Sequence, residues 1–220
     1  QKFRVWLHVD GAYGGTALVL PEYRGMIEGI EQADSFVFNP HKWMFTNFDC
    51  SAYFVKDKEA LTRTFEIMPE YLKTRADKQV NNYRDWGIQL GRRFRALKLW
   101  FVIRNYGMKG LRQRIKEQIS YAKWLEEKIK DHQNFEMILP RSLNFLCFRF
   151  KPTGREDETE LNRINEILLH TLNDTGELYL THTKVKGKYT LRMVIAQTYV
   201  EQKHVEKAWN KIQDVAERIE

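Results

Sequence analysis

Two residues of this chain have side chains whose chemistry their surroundings do not need for folding. Lys42 sits in "NPHKW", in a loop between two apolar, strand-like stretches, residues 35–38 and 50–55. An ammonium is costly to desolvate in such a place, and an ordinary surface lysine has no need of it. A lysine that must lose its proton and form a Schiff base does. Asp10 ends the apolar run "RVWLHVD" and is followed by Gly11, Gly14 and Gly15, which let backbone come close to a ligand. In open α/β sheets, ligands bind beyond the carboxyl ends of strands. Lys42 follows Asp10 by 32 residues, after another strand. An aspartate at one strand end and a lysine after a neighbouring strand suit pyridoxal phosphate. The carboxylate would keep the pyridine nitrogen protonated, and the lysine would carry the aldehyde as an imine. Taken singly, Asp10 reads as well as a loop cap or ion-pair partner, and "DGAYGG" as a plain glycine-rich loop. The order and spacing of the two carry the argument.

These residues need elements to position them. "RVWLHVD" is a continuous apolar strand of the buried, parallel type. "GAYGGTALVLPEY" is a glycine-rich loop leading to a short helix, and "ADSFVFN" and "DCSAYFVKD" are two further strands. "MPEYLKTRADKQVNNYRDW" has no clear period and reads as a long loop. "LGRRFRALKLWFVIRNYG" predicts a helix with Phe94, Leu97, Phe101 and Ile103 near one face and Gly107 as its stop. Beyond it the pattern changes: an amphipathic helix "MKGLRQRIKEQISYAKWLEEKIKDH", strand "LNFLCFRF", helix "DETELNRINEILLHTLNDTG", strand "LYLTHTKV", turn "KGK", strand "YTLRMVIA" and a last helix "VEQKHVEKAWNKIQDVAERI". That order predicts a compact α+β unit on an antiparallel sheet, with a domain boundary near residue 107.

Composition narrows the classes. The 220 residues are 43% hydrophobic and 13% aromatic, enough for a real core, which argues against disorder. No apolar run reaches the length of a membrane span. Cys50 and Cys147 both lie in apolar strands and read as reduced core thiols, which points to a cytoplasmic setting. The net charge of +7 favours anionic ligands. The basic runs "GRRFRALK" and "KGLRQRIK" raise a nucleic-acid patch as a rival, but their arginines and aromatics follow helical core spacing and no base-reading motif accompanies them, so no nucleic-acid partner and no membrane are expected. The chain opens directly inside an apolar strand, which predicts an N-terminal segment missing from it.

The run "HVDGAYGG", with "ADSFVFNPHKW" and "NFDCSAYFVKD", resembles the group II pyridoxal-phosphate decarboxylases, and most of all the aromatic L-amino-acid decarboxylases. The resemblance continues through "MPEYLK", "YRDWGIQLGRRFRALKLWFVIR" and "GKYTLRMVIAQT" and so covers nearly the whole chain; "NPHKW" and "LGRRFR" are its most specific parts. It implies an α/β protein of the fold type I, pyridoxal-phosphate-dependent transferase-like class. Residues 1–106 would form the second half of the large domain, with a mobile catalytic loop about residues 66–82, and residues 107–220 the small α+β C-terminal domain. It also implies a carboxy-lyase that decarboxylates an aromatic L-amino acid (dihydroxyphenylalanine, tryptophan, 5-hydroxytryptophan, tyrosine or phenylalanine) to its amine. An aromatic aldehyde synthase of the same family is the near alternative, and a non-catalytic fragment or structural partner lacking the N-terminal half of the site is another. A homodimer with shared active sites is implied too.

Site residues follow from the same resemblance. Lys42 would form the covalent imine with pyridoxal 5'-phosphate, and Asp10 would pair with its ring nitrogen. Ala12 would pack on the ring face, and Asn39 and His41 would bind the phosphate. Tyr71, on a mobile loop often given by the other subunit, would protonate the substrate α-carbon, and Gly91 would line the side-chain pocket. No metal is implied. Two departures stand out: Gln89 occupies a position where the family usually has proline, and Gly11 and Gly14 replace alanines common in animal members.

Overall fold

The computed structural model describes residues 5–66 and 80–219, which fall into two compact units divided between Met108 and Lys109. In the first unit, strands β1 (His8–Asp10), β2 (Ser35–Phe38) and β3 (Ala52–Val55) form a sheet in that order. β1 runs parallel to β2, and β3 antiparallel to it. The expectation of a buried first strand fails: Val5, Trp6 and Leu7 are 68%, 48% and 47% exposed, because the described residues put no layer over that run. Between β1 and β2 the expected short helix is three 3-10 turns, Gly14–Val19, Pro21–Ile27 and Ile30–Gln32. Glycines at its start and Pro21 within it deny that stretch a sustained α-helix.

Helix α1 is a single turn, Pro40–Trp43, with proline at its start, where the missing N–H costs nothing. Helix α2 (Lys58–Phe65) was not foreseen in the sequence; Asp57 caps it by accepting from Ala60 N–H at 2.9 Å. Helix α3 (Arg95–Asp131) leaves helical geometry at Gly107, whose φ of 63° lies in the left-handed region that glycine enters freely.

The second unit is built from the later part of α3, strands β4 (Phe135–Ser142) and β5 (Phe145–Phe150), helix α4 (Glu158–Asp174), strands β6 (Thr181–Val185) and β7 (Lys188–Val194), and helix α5 (Gln202–Ile219). Its sheet is wholly antiparallel, in the order β4-β5-β7-β6. β4 escaped the sequence reading: Pro140 and Arg141 blur its alternation, and its register with β5 slips twice. The β6–β7 turn places Lys186 and Gly187 at φ 49° and 83°, the geometry a two-residue hairpin wants. Leu125 and Ile129 of α3, Leu146 and Phe148 of β5, Leu168 of α4 and Ile212 of α5 close one core, each fully buried. Arg149, 1% exposed, is held by Glu158 through two hydrogen bonds of 2.8 and 3.0 Å and by Glu136 across the β4–β5 pair. Both cysteines are free and buried, and burial pushes both thiols up.

Candidate active site

β1 and β2 are parallel, with Asp10 in register with Val37, so Asp10 and residues 39–43 leave the sheet at the same carboxyl end. Two main-chain bonds hold the exits together. Gly11 N–H donates to Val37 O and Asn39 N–H to Ala12 O, both at 2.9 Å. Gly11 has no room for a side chain, since a Cβ there would lie 2.7 Å from a carbon of the Phe36 ring. Asp10 is exposed, and its Oδ1 accepts from Ala12 N–H at 2.8 Å, so its own loop orients the carboxylate.

The turn that carries Lys42 is wound onto the sheet by its neighbours. Pro40 and Trp43, three apart and therefore on one face of the turn, are both buried. That leaves Lys42 exposed, which corrects the expectation that it is pressed between apolar strands; the inward place belongs to Trp43, 1% exposed. Trp43 stacks on Tyr13, with centroids 5.2 Å apart and planes 5° from parallel. The pair joins the glycine-rich loop to the lysine turn, and aromatic pairs of this kind contribute about 0.5–1.5 kcal/mol beyond burial.

The two residues just before β3 hold the two other polar residues of the turn. Cys50 N–H donates to His41 Nδ1 at 2.9 Å, and Cys50 O lies 2.6 Å from the same nitrogen. Both contacts fall on one edge of the imidazole. Ser51 Oγ donates to Asn39 Oδ1 at 2.6 Å. Further back, Arg95 Nε donates to Asp49 Oδ2 at 2.9 Å, which ties the first turn of α3 to this loop.

Asp10, Ala12, Asn39, His41 and Lys42 are thus gathered at one sheet end. Gly91 stands apart from these hydrogen bonds, in an exposed stretch before α3 where an added Cβ meets nothing within 4 Å among the described residues. Tyr71 lies outside the described residues. A small cavity of about 190 Å³ reaches Asp10, Gly11, Gly14 and Gly15, whereas a larger one of about 610 Å³, lined by Leu18, Phe36, Phe38, Met44 and Phe54, includes neither Asp10 nor Lys42. Among the described residues no cluster of histidine, cysteine and acidic side chains is arranged to hold a metal, and no helix is long and apolar enough to cross a membrane. Sequence reasoning missed Tyr13 and Ser51. The signal for Ser51 was present: if Phe38 pairs with Ala52 in an antiparallel ladder, the next pair outward is Asn39 with Ser51.

Residues 1–151 match the family described as "Pyridoxal-dependent decarboxylase conserved domain". Over its whole length the chain is 43% identical to tyrosine decarboxylase 3 of Petroselinum crispum, covering 43% of that protein. It is 45% identical to a phenylacetaldehyde synthase of Arabidopsis thaliana over 96% of this chain and 44% of the relative. The structure superposes on that of Oryza sativa TDC with PLP and tryptamine with a TM-score of 0.94 at 36% identity, over 99% of this chain and 45% of the other. The chain therefore spans less than half the length of the relatives it matches. Over that span both units follow the fold type I architecture, α+β C-terminal part included. By sequence and by fold, the chain belongs to the pyridoxal-dependent decarboxylase family, beside its aromatic amino-acid decarboxylases.

Proposed function

We propose that this chain forms part of a pyridoxal-phosphate-dependent enzyme that removes the α-carboxylate of an aromatic L-amino acid, leaving the amine and carbon dioxide. The observation that carries the reading is the shared exit of Asp10 and Lys42 from neighbouring parallel strands, closed by the Asn39-to-Ala12 hydrogen bond. The side chains at that end fit the cofactor. Asp10 offers an exposed carboxylate for a protonated ring nitrogen, Lys42 an exposed amine for an aldehyde, and Asn39 and His41 polar groups for a phosphate. When bound, pyridoxal phosphate supplies an electron sink for the pair left behind as carbon dioxide departs.

The protein's share is placement and proton control. Asp10 holds its proton partner in place, Ala12 leaves a small flat surface beside it, and the Tyr13–Trp43 stack fixes the lysine turn against the glycine-rich loop. Tyr71, by the resemblance, delivers a proton to the substrate α-carbon from a loop that closes over the site, in a homodimer whose subunits share their sites. Aldehyde formation is the second reading, favoured by the phenylacetaldehyde synthase among the relatives. The tyrosine hydroxyl at position 71 supports the amine-forming reading, since it can protonate the substrate carbon before oxygen reacts there.

The test is direct. The chain is incubated with pyridoxal phosphate and reduced with borohydride, and the modified peptide is identified. Modification at Lys42, with amine and carbon dioxide released from at least one member of an aromatic amino-acid panel, is the expected result. Modification spread over surface lysines, with no preference for Lys42, overturns it.

A further inference from the structure

We infer that Ser51 is a positioning residue for the anion-binding end of this site: it holds the Asn39 side chain with its NH₂ group turned toward an anion. The inference rests on the reading of Asn39 and His41 as phosphate ligands and adds what orients them. Asn39 and His41 stand two apart on the turn that leaves β2, and two successive residues just before β3, Cys50 and Ser51, each engage one of them. Ser51 Oγ donates to Asn39 Oδ1 at 2.6 Å, so the acceptor of that amide is used and its NH₂ group, two donors, is left for a ligand. Cys50 O also accepts from His41 N–H at 3.3 Å, and Cys50 engages the ring itself through Nδ1 alone, which leaves the Nε2 edge free of that backbone. With Ser51 donating to Oδ1, the amide presents its NH₂ group to the phosphate, and a flip would exchange that bond for one that Oγ accepts and set the carbonyl oxygen against the anion. An amide without Ser51 can flip, and half of its orientations then repel the anion.

The antiparallel pairing makes the arrangement intrinsic to the sheet. Phe38 and Ala52 are in register, so residues 39 and 51 face each other one step beyond the ladder. Ser51 is exposed and packs against no core, so its removal spares the fold.

The experiment uses the full chain and three probes: pyridoxal phosphate, unphosphorylated pyridoxal and inorganic phosphate. Binding of each is measured by titration in wild type, Ser51→Ala, Ser51→Thr and Asn39→Asp, with a thermal melt as the folding control. Ser51→Ala is expected to weaken pyridoxal phosphate and inorganic phosphate by roughly five- to tenfold, the worth of one lost orienting hydrogen bond, while pyridoxal changes less than about twofold. Ser51→Thr, which keeps the hydroxyl, restores the affinity. Asn39→Asp still accepts from Ser51 but offers no donor, and loses more than Ser51→Ala. A parallel fall for pyridoxal and pyridoxal phosphate, or no change for phosphate in Ser51→Ala, overturns the inference. The cofactor reading is judged apart from this, by borohydride trapping at Lys42 in the same proteins. Phosphate binding that depends on Ser51 without trapping at Lys42 sinks that reading and keeps this one; wild-type chain that binds no phosphate sinks this one.

Discussion

The two stretches of helix α3 on either side of Gly107 use similar side chains in opposite ways. Before the glycine, Leu97, Trp100, Phe101 and Ile103 are between 40% and 57% exposed, and Phe94, just ahead of the helix, is 75% exposed. After it, Leu111, Ile115, Leu125 and Ile129 are at 0%. Both stretches space their apolar residues at helical intervals, so periodicity alone does not bury anything. Burial needs a second surface. The later stretch finds it in β5, α4 and α5 of its own unit, which close a common core. Among the described residues of the first unit, no such layer covers Phe94, Trp100 or Phe101, and the same unit displays Trp6, Leu7, Phe48, Ile88 and Leu90. The candidate site therefore sits on the unit with the more open apolar surface, and the large closed core lies in the other.

The sharpest way to test that division is at Lys42. Lys42→Ala is expected to lower amino-acid turnover by orders of magnitude, because the covalent anchor is gone, and to leave the thermal transition of the second unit where it was. A turnover at the wild-type rate would refute the assignment of Lys42. Next in size is a pair of truncations. Leu168→Ala, in the closed core, should cost about 2–5 kcal/mol in a urea titration followed at Trp209. Phe94→Ser, on the open face, should stay within about 0.5 kcal/mol and reduce binding of a hydrophobic dye. Equal costs at the two positions would mean that the first unit hides its apolar face in solution.

Arg149 probes the closed unit by charge. Arg149→Met is expected to cost about 2 kcal/mol, the scale for hydrogen bonds to charged groups, since Glu136 and Glu158 are exposed enough to rehydrate. The hydrogen bonds from Arg149 hold the Glu158 carboxyl below its usual value of 4.5. A carboxyl lowered in the folded state contributes stability above its unfolded pKa and loses it as pH falls through the folded one. The wild type should thus lose stability below about pH 4.5 more steeply than Arg149→Met. Stability measured in acid will show the two curves converging; parallel curves would remove Glu158 from the account. The last test belongs to the open unit and reads a ratio rather than a stability. Among the described residues a Cβ at Gly91 meets no neighbour, so a change in the ratio of two substrates points to the substrate pocket. It should penalise tryptophan relative to tyrosine by roughly 1–3 kcal/mol in kcat/KM, and an unmoved ratio takes Gly91 out of the pocket.

Much of the architecture was legible in the sequence where the pattern was regular. The apolar strand runs in "LNFLCFRF" and "YTLRMVIA" and the 3-4 spacing of α4 and α5 mark elements that the structure contains. β4 was not legible, because Pro140 and two register slips break its period. The elements that carry Asp10 and Lys42 could be read from glycines and strand ends, yet the exposure of Lys42 could not. It depends on which face of a single helical turn is buried, and Pro40 and Trp43 decide that together. Ser51 and Tyr13 were missed for a related reason: their partners, Asn39 and Trp43, are 12 and 30 residues away and are matched only by sheet register and loop closure.

The close approach of Gly11 to Phe36 also constrains how this sequence can change over time. A methyl group at position 11 would overlap the ring at 2.7 Å and crowd Val37 O at 3.0 Å. A smaller residue at position 36 relieves the overlap at the ring but opens space on the sheet. Neither substitution is neutral alone, and each alters the cost of the other. Phe36 is only half-buried, so losing its ring first is the milder step. Alanine at position 11 is therefore expected to come with a Phe36 ring turned aside or a smaller residue at position 36, so the two positions constrain each other.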